Sequence, residues 1–133
     1  MKNFEHFLRY QFPAVAWALV IFILSSIPGT KLPEIAQMVN DKIEHGTVYF
    51  VFGLLLYRAL EPRRRIPHIN WKRLLLTVTI VALYGFLDEF HQSFVPGRAE
   101  DVIDAAADTA GGTLSAAVMY FVESRRLRKI PQD

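Results

Sequence analysis

Apolar residues run without a single charge through residues 11–30, a stretch of twenty positions rich in Val, Ile, Leu, Phe and Trp. That is the length an α-helix needs to cross a bilayer core of about 30 Å. Three shorter apolar blocks follow at 46–57, 74–87 and 109–122. Each reaches spanning length only by drawing in a polar flank: Asp41 to His45 for the second, Asp88 to Gln92 for the third, Asp104 and Asp108 for the fourth. A helix on the surface of a soluble bundle alternates a polar face with an apolar stripe. The runs 49–56 and 74–83 are apolar all round instead, so the pattern predicts an all-α, integral membrane four-helix bundle with spans at roughly 11–30, 42–60, 73–92 and 102–122. The leader carries Glu5, and no small-residue cleavage site precedes Pro28, so the first span is expected to be an uncleaved anchor and not a signal peptide.

Composition adds little, because a mean hydropathy of +0.21 does not by itself separate membrane from soluble chains. At 133 residues a single domain covering 1–133 is expected. The absence of cysteine removes disulfides and thiol chemistry. Positive charge supplies orientation: Arg58, Arg63, Arg64, Arg65, Lys72 and Arg73 crowd the second connection, Arg125, Arg126, Arg128 and Lys129 follow the last span, and Lys2 and Arg9 precede the first. Lys and Arg beside spans stay cytoplasmic, so both termini are expected inside. The connection holding Glu34 and Asp41 and the one holding Arg98, Glu100 and Asp101 then face outward. Position at span flanks accounts for the basic residues as topology signals and lipid anchors, without nucleic acid. Ser25-Ser26-Ile27-Pro28-Gly29 and Ser93-Phe94-Val95-Pro96-Gly97 read as weakly related turns, one after the first span and one after the third.

The residues able to carry chemistry gather at the outward ends. Ionisable groups near a span are costly and usually face a partner or a cavity. Asp41 and His45 share one face at the start of the second helix, beside Lys42 and Glu44. Near the end of the third, Tyr84, Asp88 and either His91 or Gln92 share a face, and Glu89 lies about 100° round from Asp88. Adjacent acids at a helix C-terminus oppose its dipole, which argues for function, with Arg98 as their expected counter-charge. Asp101, Asp104, Asp108, Gly111 and Ser115 form one polar and small-residue stripe on the fourth helix. Asp101 suits a cap, whereas Asp108 lies two turns in, and Gly111-Gly112 and Ser115 suit close approach of a neighbouring helix. Arg98, just before that helix, could hold an anion with its free amides or simply neutralise Asp88, Glu89 or Asp101.

The segments Asp41-Lys42-x-x-His45-x-x-x-Tyr49, then Tyr84-x-x-x-Asp88-Glu89-x-x-Gln92-x-Phe94-x-Pro96-Gly97-Arg98, then Asp104-x-x-x-Asp108-x-x-Gly111, resemble the VanZ-like family over roughly residues 12–122. Asp108 departs from the Asn common at its position in that family, and Ser115 stands where Gly is common. The resemblance implies a cell-envelope membrane protein, since the family's founding member is associated with low-level resistance to the lipoglycopeptide teicoplanin. Three readings stay open. The first is a binder of an anionic lipid-linked or lipoglycopeptide ligand at the outer leaflet, using Asp41, Lys42, Tyr84, Gln92, Arg98 and Asp108. The second is a membrane enzyme hydrolysing or transferring a lipid phosphate, with His45, Asp88, Glu89 and Asp104 as catalytic groups or as holders of Mg²⁺. The third is a small proton-coupled carrier suggested by Asp104 and Asp108, for which the chain would have to dimerise. Membrane lipids are the expected partners, and a homo-oligomer is compatible with the pattern.

Overall fold

The computed structural model describes residues 2–29, 41–61, 71–98 and 101–128, with the side chains of Lys2 and Asp41 left out. Glu34, Arg63, Arg64, Arg65, Glu100 and Lys129, all used above to orient the chain, and the side chain of Asp41, lie outside the described residues. Among the described residues all regular structure is helical. A short helix α1 (Lys2–His6), a π-helical turn (Phe7–Gln11) and α2 (Phe12–Ser25) run on as the first rod, followed by α3 (Asp41–Ala59), α4 (Trp71–Gln92) and α5 (Val102–Leu127).

The first helix differs from the expected 11–30. It begins nine residues earlier, because residues 3–10 carry only two formal charges, Glu5 and Arg9, and no helix breaker, and it stops at Ser25 ahead of Pro28 and Gly29. The π turn has a local cause. Pro13 brings no N–H to the ladder, and the N–H of Phe12 reaches back five residues to the carbonyl of Phe7, which shifts the register around the gap. The other three helices fall within a few residues of expectation, except that α5 runs on to Leu127.

Two stretches, Asn3–Ser25 and Trp71–Gln92, are long and apolar enough to cross a membrane. Helices α3 and α5 match them in length, but their ends carry Lys42 and Glu44, and Asp104, Asp108 and Glu123. The bundle's burial pattern is inverted relative to a water-soluble protein. Phe4, Leu19, Ile23, Leu83, Phe86 and Phe121 are exposed, while Arg73, Thr77, Asp88, Glu89, Asp104 and Asp108 are buried. In water such an apolar exterior would be an aggregation surface.

Helices α3 and α5 make the closest contact. A methyl group on Gly111 would meet the backbone of Gly46, and one on Gly53 would meet Ser115 and the backbone of Gly112. The small-residue stripe read from the sequence is thus the seam between two helices. Around it Ile21, Tyr49, Phe52 and Val81 form the apolar core, with Tyr49 and Phe52 edge-on at 6.1 Å. Midway along its length the first rod is tied to α3 and α4 by hydrogen bonds from Trp17 Nε1 to the carbonyl of Val48 (3.1 Å) and from the Tyr84 hydroxyl to the carbonyl of Ala18 (2.7 Å).

Alternation of helix direction brings the starts of α1, α4 and the ends of α3, α5 to one end of the bundle. Here Arg58 lies over the Tyr10 ring at 5.3 Å. Arg73, expected to be one more flanking charge, is instead buried: its Nε donates to the carbonyl of Tyr57 (2.7 Å), its Nη1 pairs with Glu123 (3.3 Å), and the Tyr57 hydroxyl donates to the same carboxylate (2.7 Å). Removing Glu123 takes a carboxylate and two hydrogen-bond acceptors from this buried cluster. Glu123→Ala should therefore lower the thermal midpoint in detergent, by the loss of about 1.5–3 kcal/mol typical of a hydrogen bond to a charged group; an unchanged midpoint would show the tie to be dispensable.

Candidate functional site

The opposite end gathers the end of α2, the start of α3, the end of α4 and the start of α5. The acidic and basic groups that the sequence placed on three separate helices meet here. Lys42 Nζ, on the first turn of α3, sits between Asp101 Oδ2 (2.9 Å) and Asp104 Oδ1 (2.6 Å). Asp101 is the N-cap of α5, where its side chain accepts from the N–H of Ile103 (2.8 Å) and satisfies one of the amides left open at a helix start. Its own backbone N–H donates to Glu89 Oε2 (3.0 Å), which locks the end of α4 to the start of α5.

One turn deeper, His45 Nδ1 lies 3.0 Å from Asp108 Oδ1 and 3.9 Å from Glu89 Oε1. With Asp108 ionised, Nδ1 must carry the proton of that bond. Asp108 has no exposed surface and Glu89 is 5% exposed. The placement follows from spacing: His45 is a turn beyond Lys42 on α3, Asp108 a turn beyond Asp104 on α5, and Gly85, directly against Asp108, leaves room for its carboxylate on α4. Beside them Gln92 Nε2 donates to Asp88 Oδ2 (3.1 Å), both residues buried. Three buried atoms around this centre carry no hydrogen bond among the described residues: Glu89 Oε1, Asp108 Oδ2 and the Tyr49 hydroxyl. Bare polar atoms at such depth are expensive, and they mark where a ligand, ion or water belongs.

A cavity of about 90 Å³ opens onto the cluster, lined by Glu44, His45, Tyr49, Asp88, Gln92 and Arg98 and, on its apolar wall, by Ile21, Leu24 and Val48. Among the described residues Arg98 does not neutralise Asp88, Glu89 or Asp101, one of the two sequence expectations for it. It caps the end of α2 by donating from Nε to the carbonyl of Ile27 (3.3 Å) and from Nη2 to that of Leu24 (3.4 Å), and carboxylates are not among these partners. The two Pro-Gly turns touch, the N–H of Gly29 donating to the carbonyl of Pro96 (3.2 Å), so Arg98 comes to α2 with the loop that carries it. Of the alternatives on α4, Gln92 enters the site. His91 turns away, stacked on Phe22 at 4.7 Å with its Nε2 2.9 Å from the Ser26 hydroxyl. Tyr84 lies deeper and spends its hydroxyl on Ala18.

Sequence reading had passed over the Tyr49 hydroxyl as a polar site group, though its position four residues after His45 puts it on the same helical face. Glu44, named only as a neighbour, lines the cavity.

The Lys42 ammonium, with help from the Ile103 amide, holds the Asp101 carboxyl below its usual range. A depressed folded-state value adds stability above the unfolded value and loses it as pH falls through the folded one. In Lys42→Met the difference in thermal midpoint between about pH 7 and about pH 3 should therefore narrow relative to wild type; an unchanged difference would mean that the pair is not formed.

The fold and site together define a small all-helical protein with an apolar exterior and one internal His–carboxylate centre. The family model described as VanZ/LLP1 matches residues 7–123, and the chain belongs to that family. An uncharacterized protein of Schizosaccharomyces pombe is 31% identical over 113 residues, which cover 84% of this chain and 65% of that protein's length. No solved structure matches.

Proposed function

We propose that this VanZ/LLP1 protein is a multi-pass membrane enzyme of the cell envelope that hydrolyses or transfers the phosphate of an anionic lipid-linked substrate at the outer leaflet. Both ends of the bundle's chain are then cytoplasmic, consistent with Arg58, Arg125 and Arg126 at the end opposite the site. The observation that carries the reading is the convergence of His45, Glu89 and Asp108, with two bare carboxylate oxygens, behind a cavity that His45 and Asp88 line. A receptor for an anion has no use for inward-facing acids, whereas proton transfer requires them.

The roles follow from position. Arg98 on the cavity wall can turn part of its guanidinium to a phosphate oxygen, and Ile21, Leu24 and Val48 flank the path of an attached lipid chain. His45, oriented by Asp108, accepts a proton from the attacking water or alcohol as its oxygen bonds to phosphorus. The phosphorus–oxygen bond to the leaving group breaks in the same step, and the leaving oxygen takes a proton from the His45–Glu89–Asp108 set. Lys42, held by Asp101 and Asp104, keeps the starts of α3 and α5 in register and does not face the substrate.

A second reading, an anion binder for a lipoglycopeptide such as teicoplanin, has one observation in its favour: Arg98 lines the cavity. Cells expressing wild type, Glu89→Gln or Arg98→Ala, with folded protein verified in the membrane, separate the two. The enzyme reading expects Glu89→Gln to abolish any change in teicoplanin susceptibility and to leave a lipid phosphate accumulated. Loss of the phenotype in Arg98→Ala alone, with lipids unchanged, would favour the binder and remove the enzyme.

A further inference from the structure

Among the described residues four carboxylates are buried at the site end: Asp88, Glu89, Asp104 and Asp108. One of them has a counter-charge and another a hydrogen-bond donor. Lys42 pairs with Asp104, and the Gln92 amide hydrogen-bonds Asp88. Among the described residues Glu89 and Asp108 share His45 as their side-chain ion-pair partner, and even a protonated imidazole balances only one of them. In a low-dielectric interior an uncompensated carboxylate is costly, so the centre is one positive charge short. The shortage is local, because the oxygens with no hydrogen bond belong to these same two residues, Glu89 Oε1 and Asp108 Oδ2, on side chains 5% and 0% exposed.

From these observations we propose that His45, Glu89 and Asp108 hold one divalent metal ion, which makes the two carboxylates neutral as a set. One ligand atom from each residue lies within 4.8 Å of the others. Ligands about 2.1 Å from a common ion stand about 3 to 4.2 Å apart, so closure needs shifts of a few tenths of an ångström. Each ligand comes from a different helix, α3, α4 and α5, and the Tyr49 hydroxyl and the cavity leave the remaining positions to water or substrate. Imidazole beside two carboxylates suits Mn²⁺ or Zn²⁺; Ca²⁺ wants six to eight oxygens, and Mg²⁺ is favoured by oxygen ligands alone. A carboxylate at Asp108 contributes a full charge where an amide would contribute only an oxygen, so in this chain the site is electrically complete with two acids.

As an account of the same centre, the ion rests on the phosphate reading for its purpose, since it would polarise a phosphoryl oxygen and acidify a bound water, and with the ion in place that acidification stands in for the proton transfer assigned above to His45. Its measurement is independent of turnover. The full chain is purified in detergent, stripped with chelator and titrated with Mn²⁺, with free ion followed by electron paramagnetic resonance. One Mn²⁺ per chain is expected, with nitrogen coupling from His45 in the spin-echo spectrum. Glu89→Gln should weaken binding by more than about 100-fold, beyond what loss of an outer-shell partner costs. Asp108→Asn, which likewise exchanges a charged oxygen for a neutral amide, should weaken it to a similar degree, and Asp101→Asn, at the exposed pair with Lys42, should leave it unchanged. Wild-type protein that binds no Mn²⁺, bound Mn²⁺ without nitrogen coupling, or equal affinity in a folded Glu89→Gln each overturns the site. Binding without phosphate release would retain the ion and remove the enzyme reading; release that survives chelation in a protein that binds no ion would do the reverse.

Discussion

His45→Gln is expected to cut phosphate release from a lipid phosphate by about 10²- to 10⁴-fold, the usual contribution of a positioned general acid or base. Gln keeps nearly the volume and one donor toward Asp108, so the bundle is retained while the group that accepts and returns the proton is gone. The loss should fall on kcat and kcat/KM alike, because the interaction it removes belongs to the transition state. A matched set locates the effect: Asp108→Asn leaves a hydrogen bond to Nδ1 but removes the charge that stabilises an imidazolium, so its loss should be smaller than that of His45→Gln. Equal activity of His45→Gln and wild type in reconstituted vesicles would remove His45 from the chemistry.

Gly111→Leu is expected to prevent folding altogether. Even a methyl group on Gly111 collides with the backbone of Gly46, which has no side chain to move aside. Overpacking of one or two methylenes in a tight interior costs about 1–3 kcal/mol, and here backbone, not a rotamer, must yield. The seam between α3 and α5 also sets the separation of His45 from Asp108, so Gly111→Ala should lower stability and lengthen that 3.0 Å contact together. Membrane-inserted yield and thermal midpoint measure the first effect. A Gly111→Leu protein as abundant and as stable as wild type would mean that α3 and α5 do not pack as described. Gly53, one seam position further from the site and against Gly112 and Ser115, provides the comparison: Gly53→Ala should destabilise while disturbing the centre less.

The helices were legible because each apolar block, together with one polar flank, is as long as a helix, and the match to α3 and α4 is within a few residues. The start of the first helix was not, since the charge-free criterion that finds a span discards residues 3–10, which carry Glu5 and Arg9 yet continue the same rod. Asp108 was legible as an interior group, being two turns into its helix with no capping role open to it. Its meeting with His45 was not, because a contact across 63 residues leaves no trace in local spacing. Arg98 illustrates a different limit. Its partners are backbone carbonyls of α2, and carbonyls are present at every residue, so nothing in the sequence distinguishes those that are used. Arg73 left a signal that charge counting hides: it stands four residues before Thr77, on the row that continues through Val81, Gly85 and Asp88, all of which are buried.

The most direct test of the central claim, that the His45–Glu89–Asp108 centre performs phosphate chemistry, is inorganic phosphate release from a polyprenyl phosphate or diphosphate by purified protein in vesicles. Wild type and Glu123→Gln, whose change lies at the far end of the bundle, should release phosphate at similar rates, while Glu89→Gln should fall to background. Release by folded Glu89→Gln at the wild-type rate, or its absence in wild type across lipid phosphates and divalent ions, would contradict the account.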